Sequence, residues 1–384
     1  MTKPYRRFIS LVLPFLILSA CNNKTTTPSA PGPAPAGPTA TPTHSPTPNV
    51  MASPTPTASF SPVVSPWTAT PSFTSTHSPT PSVTLTSITT TTSTSTSTLT
   101  ASPSPTGSVT PTLTPVSGTW TVFGPSVTYL NPWGVATDSA LNVYVSDYLR
   151  GCVVKMDTNG NVLTTLFSAN GVSLIEPEGL AVDSSNNLYV GDSYNNRVVE
   201  LDSSGAYVNT FTGAGGVSFS HPAGVAVDTS QNIYVADYLN NRIAEITNTG
   251  ASVKVWTTAG GVSLLAPYGV AADASGNVYV ADTGNNRMVG YKSAGTTFVI
   301  TSGGVFNIGF NGPYGTGVDG SSNFYVVDTG ESRVDEYNPS GAWLNEYGGL
   351  TGVGFAFPYS VAVDSHNDIY VTDSSNFRVM KYTP

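Results

Sequence analysis

The sequence predicts an all-β fold, a six-bladed β-propeller of four-stranded antiparallel blades, and three observations carry that expectation. Prolines recur at 132, 177, 222, 267, 313 and 358, a spacing of 45 residues broken once by a single insertion. Behind each proline the same pattern repeats: a short run ending in Asp, a turn, a second run ending in Asp, then an Arg and a third run. Helical periodicity is absent throughout these copies. A repeat of this length marks supersecondary units that cannot bury their apolar faces alone and therefore stack on their neighbours.

Each element of a copy has a local cause. The run Gly-Val-Ala-Val of residues 224–227 is small and apolar, which suits an innermost strand crowded around an axis. The Asp that ends it opens a turn such as Asp-Ala-Ser-Gly-Asn at 273–277, built of residues that favour tight turns. The second strand, Val-Tyr-Val-Ala at 278–281, is β-branched and aromatic. A third strand follows the Arg, and a fourth, such as Tyr-Val-Asn-Thr-Phe at 207–211, follows a glycine-containing turn.

The last copy stops after its third strand, at residues 378–384, while residues 119–124 (Thr-Trp-Thr-Val-Phe-Gly) parallel the fourth strand of copy five, Trp-Leu-Asn-Glu-Tyr-Gly at 343–348. Residues 118–125 are therefore predicted to complete the last blade and remove its open edge.

The elements Pro-x-Gly-Val-Ala-Val-Asp, Tyr-Val-x-Asp and Asn-Asn-Arg, clearest at 177–197 and 222–242, resemble the NHL repeat. The resemblance spans roughly residues 118–384 and implies a six-bladed NHL propeller. Copy one departs, with Cys152 in the Arg position and Arg150 two residues earlier. Copy five has Gly317 in a looser first strand and Glu331-Ser332-Arg333 in place of Asn-Asn-Arg; copy six has Ser360 where Gly is usual. NHL propellers include a zinc lyase that cleaves peptidyl-hydroxyglycines, but its histidine set is missing, since only His221 and His366 fall in the repeat region.

The region ahead of the repeats reads differently. Lys3, Arg6 and Arg7 precede an apolar run over residues 8–18 that ends in Leu-Ser-Ala-Cys, with Cys21 last. Eleven residues are too few to span a bilayer, which takes about 20. A basic flank and short apolar core read as a secretory signal, and the ending resembles a bacterial lipobox, so Cys21 is the expected lipidation site. Residues 22–117 are dominated by Pro, Thr and Ser and are expected to be a disordered linker. At about 3.1 Å per extended residue it would hold the domain on the order of 100 Å or more from a membrane. The implied address is the bacterial cell envelope, with outer membrane or cell surface favoured and the lipid as the only membrane contact.

From residue 118 onward, 10 Lys and Arg face 23 Asp and Glu, a net charge of −13. So acidic a domain repels a phosphate backbone, and nucleic acid is not expected as a partner. Two cysteines in separate regions make no disulfide framework. Cys152 reads as a small core residue and His221 as a loop residue. No cofactor or metal is expected, and the propeller is expected to be monomeric.

Five Asp/Arg pairs recur at a spacing of five: Asp192/Arg197, Asp237/Arg242, Asp282/Arg287, Asp328/Arg333 and Asp373/Arg378. A catalytic device is needed once, whereas these recur in five of the six copies, so they are read as structural charge-assisted hydrogen bonds. The turn aspartates 138, 183, 228, 273, 319 and 364 are read in the same way. Positions that vary between copies are more informative. The residue after each opening proline is Trp133, Glu178, Ala223, Tyr268, Tyr314 or Tyr359, and near the second Asp lie Tyr148, Tyr194 and Tyr238. Both sets fall on one face of an antiparallel blade, so one rim is predicted to gather up to seven aromatics beside Glu176 and Glu178. Exposed aromatics on a concave rim suit sugar stacking or protein hot spots.

The expectation is thus a binding or scaffold module for a protein, peptide or glycan, with no catalytic residue assigned. The alternative is a propeller enzyme of lyase or lactone-hydrolase type, with Glu176 or Glu178 as metal ligand or base.

Overall fold

The computed structural model describes residues 118–124, 126–304, 307–348 and 354–384. The apolar leader, Cys21 and the Pro/Thr/Ser-rich segment lie outside the described residues.

Six four-stranded antiparallel sheets form the blades. Blade one comprises Pro132–Thr137, Val143–Asp147, Cys152–Met156 and Val162–Leu166. Blade six takes Pro358–Val363, Ile369–Asp373 and Arg378–Thr383 from the C-terminal end and its outer strand, Thr119–Phe123, from ahead of blade one. That strand pairs antiparallel with the third, from Thr119 opposite Thr383 to Phe123 opposite Val379. The innermost strands pack side by side in a ring in which the sixth meets the first. The core lies between blades, not within them: one cluster joins Tyr189 and Val198 of blade two to Val225 and Ile233 of blade three. Another joins Phe123 and Tyr370 of blade six to Val135 and Met156 of blade one. An isolated repeat would expose half of each such cluster, which is why the units require one another.

Two faces follow from the strand directions. The opening prolines lie opposite the second aspartates, as Pro177 does Asp192, and define the proline face. The turns led by the first aspartates define the other. There Asp183 Oδ1 accepts the Ser185 and Asn187 amides at 2.9 and 2.8 Å, and Oδ2 accepts the Asn187 side chain at 3.0 Å.

On the proline face Arg197, Arg242, Arg287, Arg333 and Arg378 lie 2.6–2.8 Å from Asp192, Asp237, Asp282, Asp328 and Asp373. The second oxygen of each aspartate takes a backbone amide ahead of the blade's own proline, as Asp192 Oδ1 does from Ile175 at 2.9 Å. The guanidinium reaches on to the short hairpin that leads into its blade; Arg242 donates to the carbonyls of Ala214 and Val217 at 3.0 and 2.9 Å. Asn241, in the left-handed region at φ 53°, accepts the Ala266 amide of the next blade at 2.7 Å. The Asn-Asn-Arg element thus ties loop, hairpin and neighbouring blade together. In blade one Cys152 is buried in the apolar core. Asp147 there is held by the amides of Leu130 and Asn131 at 2.9 and 3.0 Å and by Arg150 at 3.5 Å.

Candidate functional site: an aromatic mouth on the proline face

The innermost strands carry a shared irregularity. In blades one, two, three, five and six the register slips between the proline and the third residue after it, as between Pro132 and Val135. This is a β-bulge, one extra residue that bends the strand and re-aims a side chain. The bulge falls on the variable residue and the Gly or, in blade six, Ser360 that follows, and the variable residues 133, 314 and 359 stand at the mouth of the central channel. That channel, of about 200 Å³, has Trp133, Tyr268, Tyr314 and Tyr359 at one end and Thr137, Val182, Val227, Ala272, Val318 and Val363 at the other.

The position directly after the second Asp explains which rings join them. It is Ser193, Thr283, Thr329 or Ser374 in four blades, and each hydroxyl donates to the carbonyl of the next blade's opening proline: Pro222 at 2.7 Å, Pro313 and Pro358 at 2.6 Å, and Pro132. In blades one and three that latch is replaced by Tyr148 and Tyr238, whose rings lie over the mouth. Blade one latches two residues earlier instead, from within its second strand, through Ser146 to the Glu178 carbonyl at 2.7 Å.

The rings form a continuous cluster. Trp133 stacks on Tyr359 with centroids 4.0 Å apart and planes at 12°, and on Tyr148 at 4.6 Å and 27°. Tyr314 bridges Tyr359 and Tyr268 at 5.1 and 4.7 Å, and Tyr238 meets Tyr268 at 5.6 Å. Six of the seven candidate aromatics therefore come together. Tyr194 does not: its side chain is 63% exposed and makes no ring contact among the described residues. Its neighbour Ser193 occupies the latch position, so Tyr194 sits one residue farther out and points away from the axis. Ala223, at the bulge of blade three, is buried.

Beneath the rings lies a charged pair. Glu178 is 1% exposed, and its Oε1 sits 3.0 Å from His221 Nε2. Both Glu176 and His221 directly precede opening prolines and take the left-handed φ (53° and 55°) that Ala266, Gly312 and Phe357 take at the same position, so the scaffold itself sets their backbone. Burial works against the His221 proton, but the Glu178 hydrogen bond and the Glu178 and Glu176 charges outweigh it, so its pKa is raised. Burial, then Glu176 and Glu178, hold the Tyr148 phenol protonated. Burial, then Glu178, does the same for Tyr268. The phenols are therefore hydrogen-bond donors at neutral pH. Among the described residues the buried Glu178 Oε2, Tyr268 Oη and Trp133 Nε1 have no hydrogen bond of ordinary geometry, although the Tyr268 phenol lies close enough to Glu178 to interact with its carboxylate.

A raised histidine pKa stabilises the fold fully below pH 6.5, its unperturbed value, and the contribution fades as pH rises through the shifted value. His221→Ala is accordingly expected to cost about 1–3 kcal/mol at pH 6 and distinctly less at pH 9. Urea unfolding at the two pH values measures this; an equal loss at both would contradict the charged pair.

Sequence reasoning placed the rim, but it did not anticipate the His221–Glu178 pair, which spans blades two and three. Nor did it anticipate the latch hydroxyls, whose signal was present: Ser or Thr after the second Asp in four copies and Tyr in two. Among the described residues no group of three or more His, Cys, Asp or Glu side chains is arranged to hold a metal ion.

The NHL repeat profile matches residues 174–201, 219–245, 264–291 and 355–382, which are blades two, three, four and six. No curated protein matches the chain significantly. Among solved structures, a gluconolactonase from Xanthomonas campestris is similar with a TM-score of 0.56 and 14% identity, covering 70% of this chain and 90% of that one. A structural genomics protein of unknown function from Bacteroides thetaiotaomicron gives 0.53 and 18%, covering 67% and 70%. A streptogramin B lyase gives 0.51 and 12%, covering 69% and 97%. At such identities the likeness is one of fold. Repeat matches and blade geometry agree, and the chain carries an NHL-repeat domain folded as a six-bladed β-propeller.

Proposed function

We propose that the protein is a binding or scaffold module that recognises a protein, peptide or glycan at the aromatic mouth of its propeller. The observation that supports this best is the clustering of six rings, contributed by five blades, at two sets of positions where the repeats differ. Rigid aromatic faces over buried polar groups supply binding energy at low cost in side-chain entropy. The basic, short apolar leader ending at Cys21 and the Pro/Thr/Ser-rich segment support display at a bacterial cell envelope through a lipid and a spacer. The charge of the domain disfavours nucleic acid, and the proposed partner is a ligand of a monomeric propeller.

The test is a binding screen of the purified protein against glycan and peptide panels, repeated with Trp133→Ala combined with Tyr148→Ala. Both side chains are only partly buried. The double variant is expected to lose tenfold or more in affinity while keeping its unfolding midpoint close to wild type. Retained binding would refute the assignment of the mouth.

The buried Glu178–His221 pair favours a second reading, a propeller enzyme of lyase or lactone-hydrolase type with Glu178 as base. Turnover of a lactone panel, lost in Glu178→Gln, or stoichiometric calcium or zinc in the purified protein, would favour that reading over binding alone.

A further inference from the structure

We propose that the group recognised at the aromatic mouth is an organic cation, the ammonium or guanidinium of a lysine or arginine side chain or of a free amine. This rests on the binding reading above and specifies its ligand. Three independent features of the site converge on it.

The first is charge. Glu176 and Glu178 both act on the phenol of Tyr148, and Glu178 also acts on those of Tyr268 and Tyr359. The basic side chain that the structure places against Glu178 is His221, and it engages Oε1 alone. Two carboxylates and one imidazolium leave the mouth net negative, and the −13 domain charge extends that field outward to steer cations inward. The second is the buried Glu178 carboxylate: the Tyr268 phenol lies close to it, yet its Oε2 receives no hydrogen bond of ordinary geometry among the described residues. Such a group is costly to bury unless something donates to it, and an N–H of an ammonium or guanidinium group makes the strongest donor. The third is the surround. Tyr148, Tyr268, Tyr314 and Tyr359 surround the mouth with rings whose quadrupoles attract a cation, and Trp133, stacked between Tyr148 and Tyr359, holds two of them in place. A neutral sugar would use the rings but would leave the carboxylate charge uncompensated. A phosphate or carboxylate ligand would be repelled.

The test uses the full-length protein and isothermal titration with four probes: acetyl-Gly-Arg-Gly-amide, acetyl-Gly-Lys-Gly-amide, methylammonium, and acetyl-Gly-citrulline-Gly-amide as an uncharged isostere of the arginine peptide. At least one cationic probe is expected to bind tenfold or more tightly than the citrulline peptide. That binding should weaken at least tenfold in Glu178→Gln and measurably in Glu176→Gln, whose side chain is less buried and less able to disturb folding. Methylammonium binding with the same losses identifies a free amine as the source of the cation, and binding by the peptides alone identifies a side chain. Equal affinity for arginine and citrulline peptides, indifference to both Glu variants, or no binding by any cationic probe would overturn the proposal. If the glycan or peptide screen nevertheless finds a neutral ligand that Trp133→Ala and Tyr148→Ala abolish, the mouth is the binding site and only its ligand class is wrong.

Discussion

Removal of residues 118–125 is expected to abolish cooperative folding of the propeller. Thr119–Phe123 is the whole outer strand of blade six, and without it Arg378–Thr383 becomes an open, unpaired edge. The loss is more than hydrogen bonding. Phe123 is 5% exposed and packs edge-on against Tyr370 at 5.1 Å. Trp120 meets Phe355 at 5.3 Å and Tyr382 at 5.2 Å. Two large aromatic side chains contribute about 1.5–3 kcal/mol each by burial alone, and Phe123 belongs to the cluster that joins blade six to blade one. The sum approaches the net stability of an ordinary domain, about 5–15 kcal/mol, and it is lost at the one junction that closes the ring. Thermal unfolding of the truncated protein measures the effect, and a synthetic peptide of residues 118–125 added in trans is expected to restore part of it. An unchanged unfolding midpoint would refute the closure.

Gly224→Val is expected to destabilise the fold by about 3 kcal/mol or more, the range of overpacked or strained cores. The cause is space. A Cβ on Gly224 would lie 2.4 Å from the Tyr268 carbonyl oxygen, which the Gly224 amide also holds at 2.9 Å. The same approach recurs at Gly134, Gly179, Gly269 and Gly315, where a Cβ would lie 2.1–2.4 Å from the next blade's backbone oxygen. No side chain can yield at such a contact, so the inner ring itself would have to widen. Blade six supplies the internal control. Ser360 occupies the same position, and its hydroxyl accepts the Val135 amide of blade one at 3.3 Å. Ser360→Gly is accordingly expected to change stability by less than about 1 kcal/mol. Urea unfolding compares the variants, and a Gly224→Val midpoint within error of wild type would contradict the ring geometry.

The fold was legible because it is written several times over. Noise in one copy, such as Cys152 in the Arg position, is corrected by the other five, and the missing fourth strand of the last copy points to its replacement at 119–123. The site was legible only where it uses positions that the repeat leaves free. Trp133, Tyr268, Tyr314 and Tyr359 follow directly from the residue after each proline. The His221–Glu178 contact does not, because it crosses between blades, and no pattern within one copy pairs the residue before one proline with the residue after another. Tyr194 failed for a similar reason. One residue of offset on a tight loop reverses the direction of a side chain, and the sequence alone registers only that a tyrosine is near.

The closing strand also sets how the domain bears load. Strand order and direction put Thr119 at the turn face and Phe123 at the proline face, alongside Arg378–Thr383 running the opposite way. A pull on the chain ahead of Thr119, resisted at the aromatic mouth, therefore acts along the strand and not across it. All five backbone pairs from Thr119/Thr383 to Phe123/Val379 are then strained together in shear, instead of being unzipped one at a time. The last piece needed to close the ring is thus also the piece placed to carry tension, and the mouth faces away from the end at which that tension enters.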